Sequence, residues 1–287
     1  MKTNLLKTIE ADFASFSKGQ KRIASYLLEH YDKAAYMTAA KLGKMTEVSE
    51  STVVRFADEL GFDGYAGLQN ALQELVRTQL TAFQRIEVSD SLIGDKNILE
   101  QVLLSDADNL RRTLEQIDRD AFNTAVDKIA SARKIYILGV RSSALLAGFM
   151  YYNLQMAFDN LVLVQTSLGS EMLEQIMHIG KDDVMIAISF PRYSRTVVKA
   201  VEFATEQGAD VIALTDSPQS PIAAKAAQLL RASSDMASFA DSLVAPLGII
   251  NAITVSVAKK KRSEVTERLQ TLEKIWDEYD VYDKYHD

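Results

Sequence analysis

The sequence predicts two domains of different class, a small all-α domain followed by an α/β domain with a parallel sheet covered by helices. Three observations predict it. Up to about residue 80, apolar residues recur at helical spacing. After residue 133, short β-branched runs alternate with helical stretches. Between the two, residues 89–94 cluster Ser, Asp and Gly. A chain of 287 residues, 47% apolar and 25% charged, holds enough material for two ordinary domains.

In the first part, Ile23, Tyr26, Leu27 and Tyr31, then Leu42 and Met45, then Val53, Val54, Ala57 and Leu60 mark the inward faces of several short helices. Gly61, followed by Phe62, Asp63 and Gly64, reads as a helix stop, and a further helix is expected over 65–85. Helices are also expected over 98–117 and 119–131, with the domain boundary in 82–95. The expected division is a helical domain over 1–80, a linker and connector helix over 81–120, an α/β domain over 121–262 and a charged amphipathic helix over 263–287 that holds Trp276.

The strand candidates are 134–138, 161–165, 183–188 and 210–214, with a weaker one at 228–232. Runs apolar on both faces and separated by helices indicate a parallel sheet. Ligands of such sheets bind outside the carboxyl ends of the strands, which singles out the loops 139–143, 166–171, 189–196 and 215–220. In the first loop, Gly139-Val-Arg-Ser-Ser143 opens a helix and aims backbone N–H groups and the hydroxyls of Ser142 and Ser143 at an anion. In the third, Ser189, Ser194 and Thr196 add hydroxyls, and Arg192 or Arg195 can add a charge-assisted contact. Glu171 and Glu174 open a helix, with His178 a turn later. Glu171 could hydrogen-bond ligand hydroxyls, serve as a base, or simply favour a helix start.

Composition excludes several classes. There is no cysteine, hence no disulfide framework, thiolate metal site or cysteine nucleophile. His30, His178 and His286 are scattered without metal-ligand spacing, so no metal or cofactor is expected. Residues 1–12 lack the apolar core of a secretory signal. The apolar run 242–258 is interrupted by Pro246, Gly248 and Asn251, and falls short of a membrane span. A cytoplasmic location away from membranes is expected.

The segment 38–60 fits a helix-turn-helix, with Val48 in the turn, Ser49 as N-cap of the second helix and Thr52 at its third position. Glu50, Ser51, Thr52 and Arg55 then face outward, where they can reach bases. Net charge is −7, and residues 1–80 balance ten Lys or Arg against ten Asp or Glu. A DNA face must therefore come from local placement of Lys18, Lys21, Arg22, Lys41, Lys44 and Arg55. The plainer alternative is a helical protein-interaction or dimerisation module.

Val48-Ser-Glu-Ser-Thr-Val-Val-Arg-Phe56, then Glu59-Leu-Gly-Phe-Asp-Gly-Tyr65, with Gln20-Lys-Arg-Ile-Ala24 upstream, resembles the N-terminal domain of RpiR-type transcription regulators over residues 1–77. The later loops, with Thr215-Asp-Ser-Pro-Gln-Ser-Pro221, resemble the sugar isomerase (SIS) domain over 120–260, a flavodoxin-like fold that binds phosphosugars in isomerases and regulators. The resemblance implies a repressor of carbohydrate genes that binds a double-stranded DNA operator, an inverted repeat, as a homodimer or homotetramer, with a phosphorylated sugar as effector. Carried over by position, Ser142, Ser143, Ser189, Ser194 and Thr196 hold the phosphate.

The sequence departs from the families at three places. Glu47 stands in the turn where glycine is usual, Arg141 stands where glycine is frequent, and 189–196 replaces a Ser-x-Ser-Gly-x-Thr loop. Arg141, Arg192 and Arg195 suit a more anionic ligand, such as a phosphorylated acid sugar or a bisphosphate, unless they face solvent or pair with Glu171. The rival readings are an SIS isomerase with a helical accessory domain and a sensor acting through a protein partner. An isomerase has no need of a DNA-reading domain, which favours regulation.

Overall fold

The computed structural model describes residues 5–79, 81, 83–86, 97–166, 168–235 and 240–282. The chain divides into two compact units, Met1–Lys96 with Ser238–Ala240, and Asn97–Ala237 with Asp241–Asp287.

The first unit contains α1 (Leu5–Asp12), α2 (Lys18–Ala34), α3 (Ala39–Met45), α4 (Glu50–Glu59) and α5 (Gly64–Gln79). Hydroxyl caps start three of them. Ser17 and Gln20 form a reciprocal capping box on α2, Thr38 caps α3 and Ser49 caps α4. The core gathers Ile23, Ala24 and Leu27 of α2, Leu42 of α3, Val53, Phe56 and Ala57 of α4, and Leu68, Leu72 and Val76 of α5. Phe16 meets Phe56 edge-on at 5.2 Å. α5 closes over the loop after α2, where Tyr65 Oη and Gln69 Nε2 each donate to Met37 O at 2.8 Å.

Some expected positions differ. Met45, at the last position of α3, is 52% exposed rather than inward. On α4 the inward stripe runs Val53, Phe56, Ala57, and Val54 and Leu60 are only half-buried. Val54 sits about 100° around the helix from Val53, too far to share the stripe. The helix expected over 65–85 begins at Gly64 and is continuous to Gln79; residues 83–86 are also helical, and 80 and 82 lie outside the described residues.

The second unit begins with α6 (Ile98–Gln116) and α7 (Arg119–Ser131). A strand-helix alternation follows: β1 (Lys134–Gly139), α8 (Ser142–Leu154), β2 (Leu161–Val164), α9 (Gly169–Ile176), β3 (Asp183–Ile188), α10 (Arg195–Glu206), β4 (Asp210–Thr215) and β5 (Gln228–Arg231). α11 (Val244–Lys260) and α12 (Arg262–Glu278) complete it. The five strands fall on the five apolar runs. They form one parallel sheet in the order β2-β1-β3-β4-β5, the doubly wound flavodoxin-like arrangement.

Because side chains alternate across a strand, the sheet separates two cores. Ile135, Ile137, Ile186 and Ile212 pack with Leu146 and Met150 of α8 and Ile249, Ile250 and Ile253 of α11. Tyr136, Leu138, Met185 and Val211 pack with Met172 and Ile176 of α9 and Val197, Ala200 and Val201 of α10. The run 242–258 accordingly supplies a core helix. Polar contacts pin the strand starts: Asp183, 1% exposed, accepts from Arg133 Nη2 at 2.6 Å and from Gly180 N at 2.9 Å, and Lys128 Nζ pairs with Asp210 at 2.5 Å. Among the described residues, no helix is long and apolar enough to cross a membrane.

Candidate DNA-reading face and anion site

The α3–α4 turn is a Schellman motif. Val48 N–H donates to Gly43 O at 2.8 Å and Glu47 N–H to Lys44 O at 3.4 Å, with Glu47 at φ 54° in the left-handed position that glycine usually fills. The same motif ends α4, where Gly61 at φ 80° takes that position and Phe62 N–H donates to Ala57 O at 3.0 Å. Glu47 is held there by Arg22, whose Nη1 donates to Glu47 Oε2 at 3.1 Å and Nη2 to Glu47 O at 2.7 Å. Gly43 permits the tight turn, since a Cβ on it would lie 2.9 Å from Val48 O.

This turn sets the start of α4. Ser49 Oγ accepts from Thr52 N–H at 3.3 Å and lies 2.8 Å from Thr52 Oγ1 and 2.9 Å from Ser51 Oγ. Glu50, Ser51 and Arg55 are exposed and Thr52 is half-buried, so the first turns of α4 present the expected residues outward. Arg55 Nε donates back to Ser51 O at 3.3 Å, which lays the guanidinium along the helix. Lys18, Lys21 and Arg22 line a 710 Å³ cleft with Ser25, Tyr26, His30 and Thr46, beside the turn. Lys41 and Lys44 are exposed on α3. Ser49 thus caps α4 as its place in the sequence predicts, and Arg22, expected on the DNA face, has a local structural duty at Glu47 that the motif alone does not reveal.

In the second unit, α8, α9 and α10 all begin at the carboxyl edge of the sheet. Their N-cap residues, Arg141, Leu168 and Ser194, make no side-chain capping bond. The starts of α8 and α10 therefore flank the point where the strand order reverses between β1 and β3, and α9 starts after the neighbouring β2, so the positive ends of three helix dipoles lie along this edge. Arg141 has φ 56° and ψ −126°, the first corner of a type II′ turn closed by Ser143 N–H to Val140 O at 3.1 Å. A non-glycine residue there costs about 1–3 kcal/mol, and such strain clusters at ligand sites. Gly139 is required by close approach, since a Cβ on it would meet Ser143 O at 2.3 Å.

Of the expected ligand residues, Ser143 and Ser189 are nearly buried, Ser194 and Thr196 are half-buried at the start of α10, and Ser142 is exposed at the start of α8. Arg141, Arg192 and Arg195 are exposed; among the described residues none pairs with Glu171. Glu171 instead accepts from Thr166 Oγ1 at 2.8 Å. Missing from the sequence-based set is Tyr193, whose Oη donates to Asp216 Oδ1 at 2.9 Å and so ties the 189–196 loop to the end of β4. Among the described residues, no group of three or more His, Asp or Glu side chains could hold a metal ion.

The sequence profile of the helix-turn-helix domain of the rpiR family matches residues 3–79, and that of the SIS domain matches residues 128–256. The chain belongs to the rpiR family. It is a DNA-binding transcription regulator of the helix-turn-helix type with a SIS domain. It is 25% identical over 280 residues, 95% of this chain and 97% of the relative, to an HTH-type transcriptional regulator of Caldanaerobacter subterraneus subsp. tengcongensis. It is 28% identical over 230 residues, 78% of this chain and 75% of the relative, to the HTH-type transcriptional regulator HexR of Escherichia coli. Among solved structures, the sugar isomerase domain of an RpiR transcription factor from Sphaerobacter thermophilus is 29% identical, with TM-score 0.58, over 61% of this chain and 97% of that one. The Vibrio vulnificus NanR protein complexed with ManNAc-6P shares the fold at 23% identity and TM-score 0.59, over 96% of this chain and 99% of that one. In this rpiR-family chain, the sheet edge that gathers the uncapped helices lies within the matched SIS segment, and the α3–α4 turn within the matched helix-turn-helix segment.

Proposed function

We propose that this rpiR-family chain represses carbohydrate genes in the cytoplasm and that a phosphorylated sugar bound at the carboxyl edge of its sheet alters operator binding. The observation that carries the effector is the placing of Ser142 and Ser143 at the start of α8, and of Ser189, Ser194 and Thr196 at the loop and start of α10, on the two sides of the sheet's switch point, where neither helix has a side-chain cap. N–H groups, hydroxyls and helix dipoles together suit a phosphate. Arg141, Arg192 and Arg195 add positive charge around it, which favours a phosphorylated acid sugar or a bisphosphate.

On the DNA side, Glu50, Ser51, Thr52 and Arg55 read the major groove while Lys18, Lys21, Lys41 and Lys44 contact phosphates. One helix-turn-helix covers half an operator, so a homodimer or homotetramer binds an inverted repeat. The exposed Leu145, Phe149 and Tyr152 of α8 and Val255 of α11 supply apolar surface for that association. A non-enzymatic role fits the engagement of Glu171 by Thr166, the engagement of the buried Asp216 by Tyr193 and the exposure of His178. Coupling of about 1–3 kcal/mol between effector and operator suffices for control.

Selection of genomic fragments by the purified protein, followed by anisotropy on the recovered sequence with a panel of sugar phosphates, tests this. An inverted repeat whose affinity moves with one sugar phosphate is the expected result. Failure to enrich any sequence would overturn the proposal, and turnover of a sugar phosphate would replace it with an isomerase.

A further inference from the structure

The two residues that α6 buries are polar. Asn109 is fully buried and Thr113 is 6% exposed, whereas Leu103, Leu104, Leu110 and Leu114 of the same helix stay largely outside. The buried pair is met by the segment that leaves β5. Ser233 N–H donates to Thr113 Oγ1 at 2.8 Å, and Asp235 N–H to Asn109 Oδ1 at 3.4 Å. Arg112 Nη2 donates to Asn109 Oδ1 at 2.8 Å and pairs with Asp235. Ser242 Oγ donates to Asp106 as well. A helix seated on directional bonds has discrete positions, unlike one resting on a smooth apolar surface. Among the described residues Asn109 Nδ2 is buried without a hydrogen-bond partner, so this seat leaves a donor that a shifted arrangement can satisfy.

The other end of the same chain of bonds lies at the anion site. Tyr193, between the loop's candidate phosphate ligands Arg192 and Ser194, donates to Asp216 Oδ1 at 2.9 Å, and Thr215 Oγ1 lies 3.2 Å from the same oxygen. Asp216 is 4% exposed. Its backbone carbonyl accepts from Arg231 Nε at 2.9 Å, and Ala232 N–H donates to Thr215 O at 2.9 Å, so β4 and β5 are tied together at this end. One residue later comes Ser233, bonded to α6.

We propose that the relay Tyr193–Asp216–Arg231, continued through Ser233 and Asp235 to Thr113, Asn109 and Arg112, transmits occupancy of the sheet-edge site to α6, the helix that follows the DNA-reading unit in the chain. The proposal rests on the functional reading above and names the route of its regulation. An anion drawn onto Ser194 and Thr196 pulls the loop that carries Tyr193. That tightens or breaks its bond to Asp216 and alters the bonds on which α6 sits.

The first test needs no ligand. Hydrogen exchange is measured on the full-length chain and on its Tyr193→Phe and Thr113→Val variants. With Tyr193→Phe, amides of 106–113 exchange at least threefold faster while those of α12 are unchanged. With Thr113→Val, the acceleration reaches 190–196. Acceleration confined in each variant to the neighbours of the substituted residue would overturn the relay.

The second test uses the selected operator with 6-phosphogluconate as probe and inorganic phosphate as control. Where the probe shifts wild-type operator affinity fivefold or more, Thr113→Val keeps its affinity for probe and for operator alone but shifts less than twofold. A full shift in Thr113→Val overturns the relay. A wild-type protein that binds its operator and ignores every sugar phosphate overturns the functional reading instead, and the exchange data then decide the relay alone.

Discussion

Replacing Gly139 by Ala would put a methyl carbon 2.3 Å from Ser143 O, 2.8 Å from Ser143 C and 3.2 Å from Ala147 Cβ. The first two are backbone atoms of α8 and cannot swing aside as a side chain would. The start of α8 must therefore retreat from the end of β1 by about 1 Å, in an interior packed as densely as a crystal. Overpacking of this kind costs about 1–3 kcal/mol, and the backbone clash places Gly139→Ala at the upper end, about 3 kcal/mol. For a unit of this size each 1 kcal/mol is about 2–4 °C, so the melting temperature of the α/β unit falls by about 6–12 °C. Gly148→Ala is the matched control, because nothing lies within 4 Å of its added Cβ in the same helix. It should gain about 0.5–1 kcal/mol from helix propensity. Differential scanning calorimetry of the full-length protein, resolving the two units' transitions, reads both variants. A Gly139→Ala protein that melts within 2 °C of wild type would refute the close-approach reasoning, and with it the account of how the first anion loop is built.

Ser49→Ala removes the α4 cap and should cost the helical unit about 1 kcal/mol, seen as a lower thermal midpoint by circular dichroism. Glu47→Gly relieves a left-handed residue at a cost of one exposed ion pair, for a net gain of up to about 1 kcal/mol; the helical unit's midpoint should rise. Arg55→Ala should lower the slope of log affinity against log salt by about 0.9 if Arg55 contacts a phosphate, and leave the slope alone while relaxing base preference if it reads a base. Burial pushes the Tyr65 hydroxyl up to about 12, above its ordinary 10. The unfolded chain therefore loses this proton first, and stability present below pH 10 is lost as pH rises towards 12; in alkaline melts, Tyr65→Phe should show a shallower decline over that range.

Most of the architecture was legible in the sequence because each signal had a single physical source. Short β-branched runs between helices admit little but a buried parallel strand, and all four such runs became strands, as did the weaker, unbranched run at 228–232. Ser49 preceding an amphipathic stretch admits little but an N-cap. Legibility failed where two sources compete. Val54 and Phe56 are both apolar, and only the phase of α4 against α2 and α5 decides that Phe56 fills the core. On α6, the leucines suggest an inward stripe, yet the residues buried within the unit are Asn109 and Thr113. Their partners, Ser233 and Asp235, lie more than a hundred residues away, and no local period records such pairing. For the same reason Tyr193 escaped notice at the anion site, since its value lies in Asp216, which only the fold brings near.

The polar strand starts have a further consequence. A strand buried on both faces carries little information about its own alignment, because slipping it by one residue trades one apolar face for another. In β1, β3 and β4 the apolar stretch is almost uniform, and alignment must be written at its margins. Asp183 and Asp210 anchor one margin through Arg133, Gly180 and Lys128. Gly139 anchors the other, where only a bare backbone can pass Ser143. A slip would carry a carboxylate inward at one end and a side chain into α8 at the other. The residues that keep the strands aligned are therefore also those that deliver the loops of the proposed anion site at matched heights, so a chain folded in this register arrives with that proposed edge already assembled.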